Sequence, residues 1–147
     1  MEIPMTTTDK TDETLGRTEL VEDARAAFTG SLFGPYFPLR LEPAIYATTD
    51  RMAPAYTGGF WRFWRLADGG FYMAPDAEEP YEVHSMNGWS GQLSADALGI
   101  VSCLTAYSHL SFRGPESVAR TCAEHYHRLR HWMMEHPEVE GVLRATD

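Results

Sequence analysis

The segment 56–75, which reads YTGGFWRFWRLADGGFYMAP, constrains the fold of this chain more than any other. It contains two Gly-Gly pairs, a dense run of aromatic side chains and a closing proline. Glycine is disfavoured inside a strand, so a glycine beside a run of rings is typical of a turn or of a close backbone approach. The segment therefore predicts a β-hairpin, with a strand over 59–66, a turn over 67–70 and a return strand over 71–74.

The rings of the first predicted strand cannot all lie on one face of the sheet. Side chains alternate along a strand, so Trp61 and Phe63 point to one side and Trp64 to the other. The ring on the second face is either covered by a helix or exposed to a partner. Because monomers rarely expose large apolar patches, we expect it to be covered.

A second hairpin and several helices are predicted around the first hairpin. Residues 81–86 alternate in character and lead into Asn87-Gly88, a strong hairpin signal, after which a strand over 89–93 should return. Ser94 can cap a helix whose first turn holds Asp96. The other helices are predicted at 19–29, 41–53, 116–135 and 138–144.

These elements predict an α+β fold class. We expect a single compact domain over 19–147, in which a small antiparallel sheet of three to four strands packs against about four to five helices. Residues 1–18 are rich in Thr, Asp and Glu, so they are predicted to form a flexible acidic leader.

The composition fits a cytoplasmic globular protein. The chain has 147 residues, enough to bury a core in one domain. It begins without the basic and apolar regions of a signal peptide, and it has no apolar run long enough to span a membrane. The two cysteines, Cys103 and Cys122, are expected to be reduced thiols in the cytoplasm.

The distribution of the net charge of −9 argues against a protein that imitates DNA, and also against one that binds nucleic acid. Seven of the 21 acidic residues lie within the first 23 positions, so from residue 24 onward 14 acids face 10 bases. That balance is too small to imitate DNA, which carries one charge per about 1.7 Å of helix axis. Basic residues cluster only at Arg62/Arg65 and Arg128/Arg130, so a nucleic-acid-binding face is not expected either.

The candidate catalytic and metal-binding residues form no recognised motif. His127 and His131 are four residues apart on a helix, but their face is predicted to be solvated and no HExxH pattern is present, so we expect no metal and no cofactor. Ser90 sits in Gly88-Trp89-Ser90-Gly91, whose second glycine is one residue too early for a nucleophile elbow. Asp96 could act as a base with His84 or His109, although its place at a helix start explains it sufficiently.

Three strings together resemble the ArdB/KlcA antirestriction protein family. They are LFGP at 32–35, the hairpin segment at 56–75 and NGWSGQLSADALGI at 87–100, and the tail adds YHRLR at 126–130 and HPE at 136–138. The resemblance covers about residues 30–147. Members of this family are small bacterial proteins of plasmids, phages and other mobile elements. The resemblance implies a compact α+β domain that relieves type I restriction-modification of incoming DNA without imitating DNA.

The leading hypothesis is a non-catalytic antirestriction factor that acts by protein–protein contact. Its partner would be the type I restriction-modification complex or a host factor that controls it, with no membrane and no direct nucleic-acid contact. The sheet end is the candidate surface, because turn residues there should hold a rigid platform. Its residues are Tyr56, Trp61, Tyr72, Asn87, Trp89 and Asp96.

Two alternatives belong to other classes of function. One is a small hydrolase-type enzyme that uses Asp96 and a histidine. The other is weak direct DNA binding through Arg62 and Arg65, which would show a steep salt dependence.

Overall fold

A computed structural model describes residues 9–12 and 15–147 of the chain. The elements follow one another in the order β1 (Asp9–Asp12), β2 (Arg17–Leu20), α1 (Asp23–Phe33), a π-helical segment (Phe37–Leu41), α2 (Glu42–Met52), β3 (Trp61–Leu66), β4 (Phe71–Pro75), β5 (Tyr81–His84), β6 (Ser90–Leu93), α3 (Ala95–Ser111), α4 (Glu116–Trp132), a 3₁₀ turn (Met133–Glu135) and α5 (Val139–Thr146).

The strands form two antiparallel sheets, one with the order β1-β2-β3-β4 and one that pairs β5 with β6. The predicted α+β class is confirmed. The two predicted hairpins, however, do not share a sheet. The first is extended by β1 and β2, whereas the second stands as a separate two-stranded sheet.

The amino-terminal boundary is the main correction to the prediction. Asp9–Asp12 and Arg17–Leu20 are strands of the larger sheet, although the sequence assigned most of them to a leader, and α1 begins at Asp23 rather than at residue 19. Residues 1–8 and 13–14 of the predicted leader lie outside the described residues. β2 pairs with β3, which is distant in sequence, and local composition carries no signal of such a pairing.

The first hairpin closes through the predicted glycine turn. Gly69 has a φ of +87°, a conformation that favours glycine, and the Asp68 carboxylate accepts a hydrogen bond from the Gly70 N–H at 2.9 Å. β3 starts at Trp61 rather than at residue 59, because Gly58 and Gly59 have φ values of +98° and +118° that do not belong to a strand.

Both faces of the larger sheet are covered. On one face, Phe63 and Phe71 pack edge to face with their ring centroids 5.5 Å apart, next to Phe33 and Phe37 from the helical layer. On the other face, Trp64 is buried beneath the Arg17 guanidinium, which lies 3.8 Å from its ring centroid. The ring on the second face is therefore covered, as expected, although the prediction had a helix as the cover and the contact here comes from an arginine of β2.

Helix α3 closes the outer edge of β4. Gly99 lets the helix approach so closely that an added Cβ would lie 2.5 Å from the Met73 carbonyl oxygen. The Cys103 thiol accepts from the Met73 N–H at 3.4 Å and donates to its C=O at 3.5 Å, and the Tyr107 hydroxyl donates to the Phe71 C=O at 2.8 Å. Side chains of α3 thus supply the hydrogen bonds that a further strand would have made.

The remaining helices largely follow the prediction. Leu41, Ile45 and Met52 are fully buried on α2 and its preceding segment. Ser94 caps α3, since its hydroxyl accepts from the Ala97 N–H at 3.1 Å. None of the helices in the described part of the chain is long and apolar enough to cross a membrane.

Candidate functional site

The six residues predicted for a contact surface fall into three hydrogen-bonded pairs. Tyr72 and Trp61 are buried, so the six do not form one exposed surface. The Trp61 indole N–H donates to the Tyr56 hydroxyl at 2.9 Å, and the Trp61 ring also packs edge to face on Tyr46. This first pair belongs to the packing between α2 and β3.

The second pair lies in the turn between β5 and β6. The Asn87 side-chain oxygen accepts from the Trp89 N–H at 3.1 Å, and its amide donates to the Arg144 C=O at 2.8 Å. The Trp89 ring lies on Gly91, where an added Cβ would be 2.4 Å from a ring carbon. Asn87 is exposed and Trp89 is half-buried, so this turn holds the most accessible residue of the predicted surface.

The third pair, Tyr72 and Asp96, belongs to a polar cluster that joins four parts of the fold. Tyr72 comes from β4, Asp96 from the first turn of α3, Arg17 from β2, and His136 from the segment before α5. Sequence reasoning placed Arg17 in the leader and did not connect His136 with Asp96. The HPE string at 136–138 was the only sign that His136 matters.

Both oxygens of the Asp96 carboxylate accept hydrogen bonds in this cluster. Oδ1 accepts from the Tyr72 hydroxyl at 2.8 Å and from Arg17 Nη1 at 2.9 Å. Oδ2 accepts from Arg17 Nη1 at 2.9 Å and from His136 Nε2 at 2.7 Å. Arg17 also donates to the Tyr72 hydroxyl. Arg17 Nη1 carries two hydrogens, and with one directed at the Tyr72 hydroxyl the other is shared between the two carboxylate oxygens. Three groups therefore donate to this carboxylate, and both of its oxygens are engaged.

The hydrogen bonds of His136 fix its tautomer. The Glu138 N–H donates to Nδ1 at 3.0 Å, so Nδ1 carries a lone pair and the proton of the neutral ring lies on Nε2, where it points at Asp96. Glu138 in turn accepts from the Ser94 N–H at 2.9 Å and from the Ser94 hydroxyl. Both ring nitrogens are therefore occupied, which leaves no free base on the imidazole.

Arg17 and Asp96 form a charged pair within the cluster, and both side chains are mostly buried. Burial raises the pKa of Asp96, but the hydrogen bond from His136 and the charge of Arg17 outweigh it, so the pKa of Asp96 lies below its usual value. Burial and the Asp96 charge hold the pKa of Tyr72 well above its usual value. Asp96 is therefore an anion and Tyr72 a neutral donor at neutral pH.

The open side of the cluster faces a cavity of about 360 Å³. Asp96 and Arg17 line it, together with a second ion pair in which Arg62 Nε lies 3.1 Å from Asp76 Oδ1. Trp64 forms part of the wall, and its buried indole N–H has no hydrogen-bond partner among the described residues.

A second acid–histidine–hydroxyl arrangement lies on the outer face of the smaller sheet. His84 and Ser90 are cross-strand partners, and His84 Nδ1 lies 2.9 Å from the Ser90 hydroxyl. His84 Nε2 lies 3.0 Å from Glu82 Oε1. The His84 and Glu82 side chains are 49% and 68% exposed, so water competes with every contact in this group. An exposed arrangement of this kind lacks the desolvation that strengthens catalytic electrostatics.

The structure pairs Asp96 with a histidine, as the hydrolase hypothesis assumed, but with one that the sequence did not single out as its partner, and it separates the two arginines of the DNA-binding hypothesis. Asp96 contacts His136 rather than His84 or His109. Arg62 and Arg65 are exposed on opposite faces of β3, and Arg62 pairs with Asp76. No group of three or more His, Cys, Asp or Glu side chains in the described ranges is arranged to hold a metal ion.

Comparison with known proteins identifies the chain's relatives. A family model described as "Antirestriction protein" matches residues 54–147. The chain is 37% identical over 138 residues to the antirestriction protein KlcA of Escherichia coli, which covers 92% of this chain and 97% of that protein. It is 42% identical over 135 residues to the uncharacterized protein YafX of Escherichia coli strain K12, covering 88% and 86% respectively.

A solved structure from a study of the KlcA and ArdB proteins shares the fold. It matches with a TM-score of 0.78 at 36% identity and covers 97% of this chain and 100% of that chain. That study reports a novel fold, and antirestriction activity of those proteins against type I DNA restriction systems in vivo but not in vitro.

Proposed function

We propose a function for this chain on the premise that it belongs to the antirestriction protein family, as its sequence motifs predicted. The chain relieves type I restriction of incoming DNA by contacting a protein, and it does so without catalysis. The family and the activity of the KlcA and ArdB proteins support the role. The contact and the absence of catalysis are argued from the chain's own residues.

The engagement of both Asp96 oxygens by neighbouring donors carries the non-catalytic part of the proposal. A general base needs a free lone pair within reach of the proton that it takes. Three groups donate to the two oxygens of Asp96, and both nitrogens of its partner His136 are engaged. The cluster is therefore suited to fastening β2, β4 and α3 to the segment before α5.

The contact with a cellular protein is supported by what is reported for the relatives. The KlcA and ArdB proteins act against type I systems in vivo but not in vitro. An inhibitor that only needs the purified enzyme should work in both settings. We propose that the present chain likewise needs a component of the cell, which is the restriction complex in its cellular state or a host factor that controls it. The proposal places the protein in the cytoplasm.

Direct action on DNA is disfavoured by charge. The chain has a net charge of −9, and Arg62 and Arg65 are not on a common face. A nucleic-acid-binding protein gains most of its non-specific affinity from clustered cations, which this chain lacks. Among the residues predicted for the contact, Tyr56, Asn87, Trp89 and Asp96 keep accessible atoms and stay proposed contact positions.

The test is the plating efficiency of unmodified phage on a strain with a type I system, compared with an isogenic strain without one. Expression of the chain should raise plating on the restricting strain only. Unchanged restriction despite soluble expression would reject the proposal. Ser90→Ala and His84→Gln test the remaining catalytic arrangement, and both variants should retain full relief. Loss of relief in a variant with an unchanged melting temperature would favour the hydrolase alternative.

A further inference from the structure

Two large apolar side chains stand out on the surface. Phe112 is 85% exposed and Leu39 is 71% exposed, the highest values for large apolar side chains in the described ranges. Scattered apolar residues are normal on a protein surface, so exposure alone does not make a site. The surroundings of these two side chains distinguish them.

The two side chains project from backbone segments that pack against each other. Leu39 lies in the π-helical segment, and Phe112 lies in the turn between α3 and α4. The contact is made by Tyr36, the residue directly before the π-helical segment, since an added Cβ at Gly114 would be 3.2 Å from the Tyr36 hydroxyl oxygen. The missing side chain of Gly114 permits this contact, so Phe112 and Leu39 lie two and three residues along the chain from a shared point of contact.

The backbone on both sides of the contact is hydrogen-bonded. The Leu39 N–H donates to the Pro35 C=O at 3.3 Å, and the Phe112 N–H donates to the His109 C=O at 3.3 Å. The Gly114 N–H donates to the Leu110 C=O at 3.3 Å. A surface that is already ordered loses little conformational entropy when it binds.

An arginine follows each of the two apolar residues. Arg40 and Arg113 are exposed, and neither pairs with a carboxylate of the described residues. Most other arginines of the described part do pair with an acid, and these are Arg17, Arg62, Arg120, Arg128, Arg130 and Arg144. Arg25, Arg51 and Arg65 also lack an ion pair with any described residue, but none of them follows a large exposed apolar residue in the chain.

We infer that Leu39, Arg40, Phe112 and Arg113 form a docking surface for a protein partner that presents carboxylates around an apolar pocket. The inference rests on the proposed function and specifies the partner's chemistry. Aromatic residues and arginine are enriched at the energetic centres of interfaces. In a chain with a net charge of −9, two unpaired arginines beside exposed apolar groups complement an acidic surface.

The experiment compares variants of this surface in the phage plating assay. Phe112→Ser with Leu39→Ser removes the apolar contacts, and Arg40→Glu with Arg113→Glu reverses the charges. Each double variant should lose roughly tenfold or more of the relief of restriction, the effect expected for central interface residues. Arg40→Lys with Arg113→Lys keeps the charge and should retain most of the relief.

Control variants separate this surface from general effects of charge and exposure. Arg51→Glu reverses another unpaired arginine at the far end of α2, about 15 Å from the start of that helix. Met134→Ser removes another exposed apolar side chain, which is 47% exposed. Both should relieve restriction like the wild type, and the melting temperatures of all variants should match because the altered side chains are exposed.

The outcomes distinguish the two levels of the argument. If the wild type gives no relief, the proposed function fails and this inference falls with it. If the wild type gives relief and both double variants do too, the inference alone is overturned. Binding of the wild type to anionic lipid vesicles, or self-association in size-exclusion chromatography that the double variants abolish, would also overturn it by showing a different occupant.

Discussion

Two arginine–aspartate pairs line the same cavity, yet their surroundings differ. Arg17 and Asp96 lie 2.9 Å apart with side chains that are 12% and 26% exposed, and Tyr72 and His136 share the carboxylate. Arg62 and Asp76 lie 3.1 Å apart, are 46% and 41% exposed, and make this single contact.

The difference teaches that burial and shared donors, rather than residue type or distance, decide what an ion pair contributes. When an exposed ion pair forms, each charged group gives up contacts with water for a contact with the other group, so the net gain in stability is small. A mostly buried pair must keep every partner, because removal of one leaves the other charge uncompensated. The first pair therefore stabilises the contact between four parts of the fold, whereas the second pair is exposed and contributes little to stability.

Asp96→Asn should have the largest effect. Asparagine keeps the size of the side chain but leaves the Arg17 guanidinium without its counter-charge, so the free energy of unfolding should fall by about 2–4 kcal/mol, less than for a fully buried pair. Urea denaturation measures the loss. The matched change Asp76→Asn should lower the free energy of unfolding by about 0.5 kcal/mol or less. Equal losses would show that burial does not separate the two pairs.

The pH dependence sharpens this first prediction. Because the pKa of Asp96 is lowered in the folded chain, its ionised form stabilises the fold. This contribution is complete above the unfolded pKa, about 3.9 for aspartate, and is lost as the pH falls through the lower folded value. The stability gap between wild type and Asp96→Asn should therefore stay constant near neutrality and narrow only in strong acid. A gap that closes already between pH 7 and 5 would assign the stabilisation to another group.

Gly99→Ala should have the next largest effect, because it moves the helix that carries Asp96. The new Cβ would lie 2.3 Å from the Ala74 Cβ and 2.5 Å from the Met73 carbonyl oxygen, so α3 must shift away from β4. Overpacking of this kind typically costs about 1–3 kcal/mol. Gly30→Ala in α1 is the control, since an added Cβ there meets nothing within 4 Å.

The control should gain about 0.5–1 kcal/mol in the free energy of unfolding, as alanine is the better helix former. Thermal or urea unfolding measures the expected loss of stability in Gly99→Ala and the expected gain in Gly30→Ala. A stable Gly99→Ala variant would contradict the close approach of α3 to β4.

His125→Phe should have the smallest effect, visible only as a change with pH. His125 is buried beside Phe33, with ring centroids 5.0 Å apart, and Nδ1 has no partner among the described residues. Burial and then the charge of Arg128 lower its pKa, although Glu124 and Asp68 act in the opposite direction. As the pH falls, the unfolded chain therefore takes up a proton at His125 at a higher pH than the folded chain does. Folding stability thus decreases as the pH drops below about 6.5.

The His125→Phe variant lacks that proton-linked loss, so it should lose less stability than wild type between pH 7 and 5. His127→Phe, an exposed change on the same helix, should keep the wild-type dependence. Unfolding curves at several pH values measure the slopes. Parallel slopes for all three proteins would contradict a buried, neutral His125.

The sequence predicted the elements whose signals are local. The glycine turn at 67–70, the Asn87-Gly88 turn and the Ser94 cap were readable because the residues that cause them are adjacent in the chain. The family was readable from short strings in and after these turns, and the comparisons confirm it.

The sequence did not predict the contacts that assemble the site. Arg17 reaches Asp96 only because β2 pairs with β3, and His136 reaches it only because the 3₁₀ turn after α4 directs it back toward α3. Neither pairing leaves a mark in local composition. The burial of Trp61 and Tyr72 was missed for the same reason, since alternation gives the face of a side chain but not what covers that face.

Local chemistry thus determined the turns, the caps, the α+β class and the family of this protein, since those depend on backbone preferences and on neighbouring residues. Tertiary structure alone decided which charged groups are buried and which remain exposed to water, because the free energy of a charged group depends on the water that distant segments of the chain remove from it.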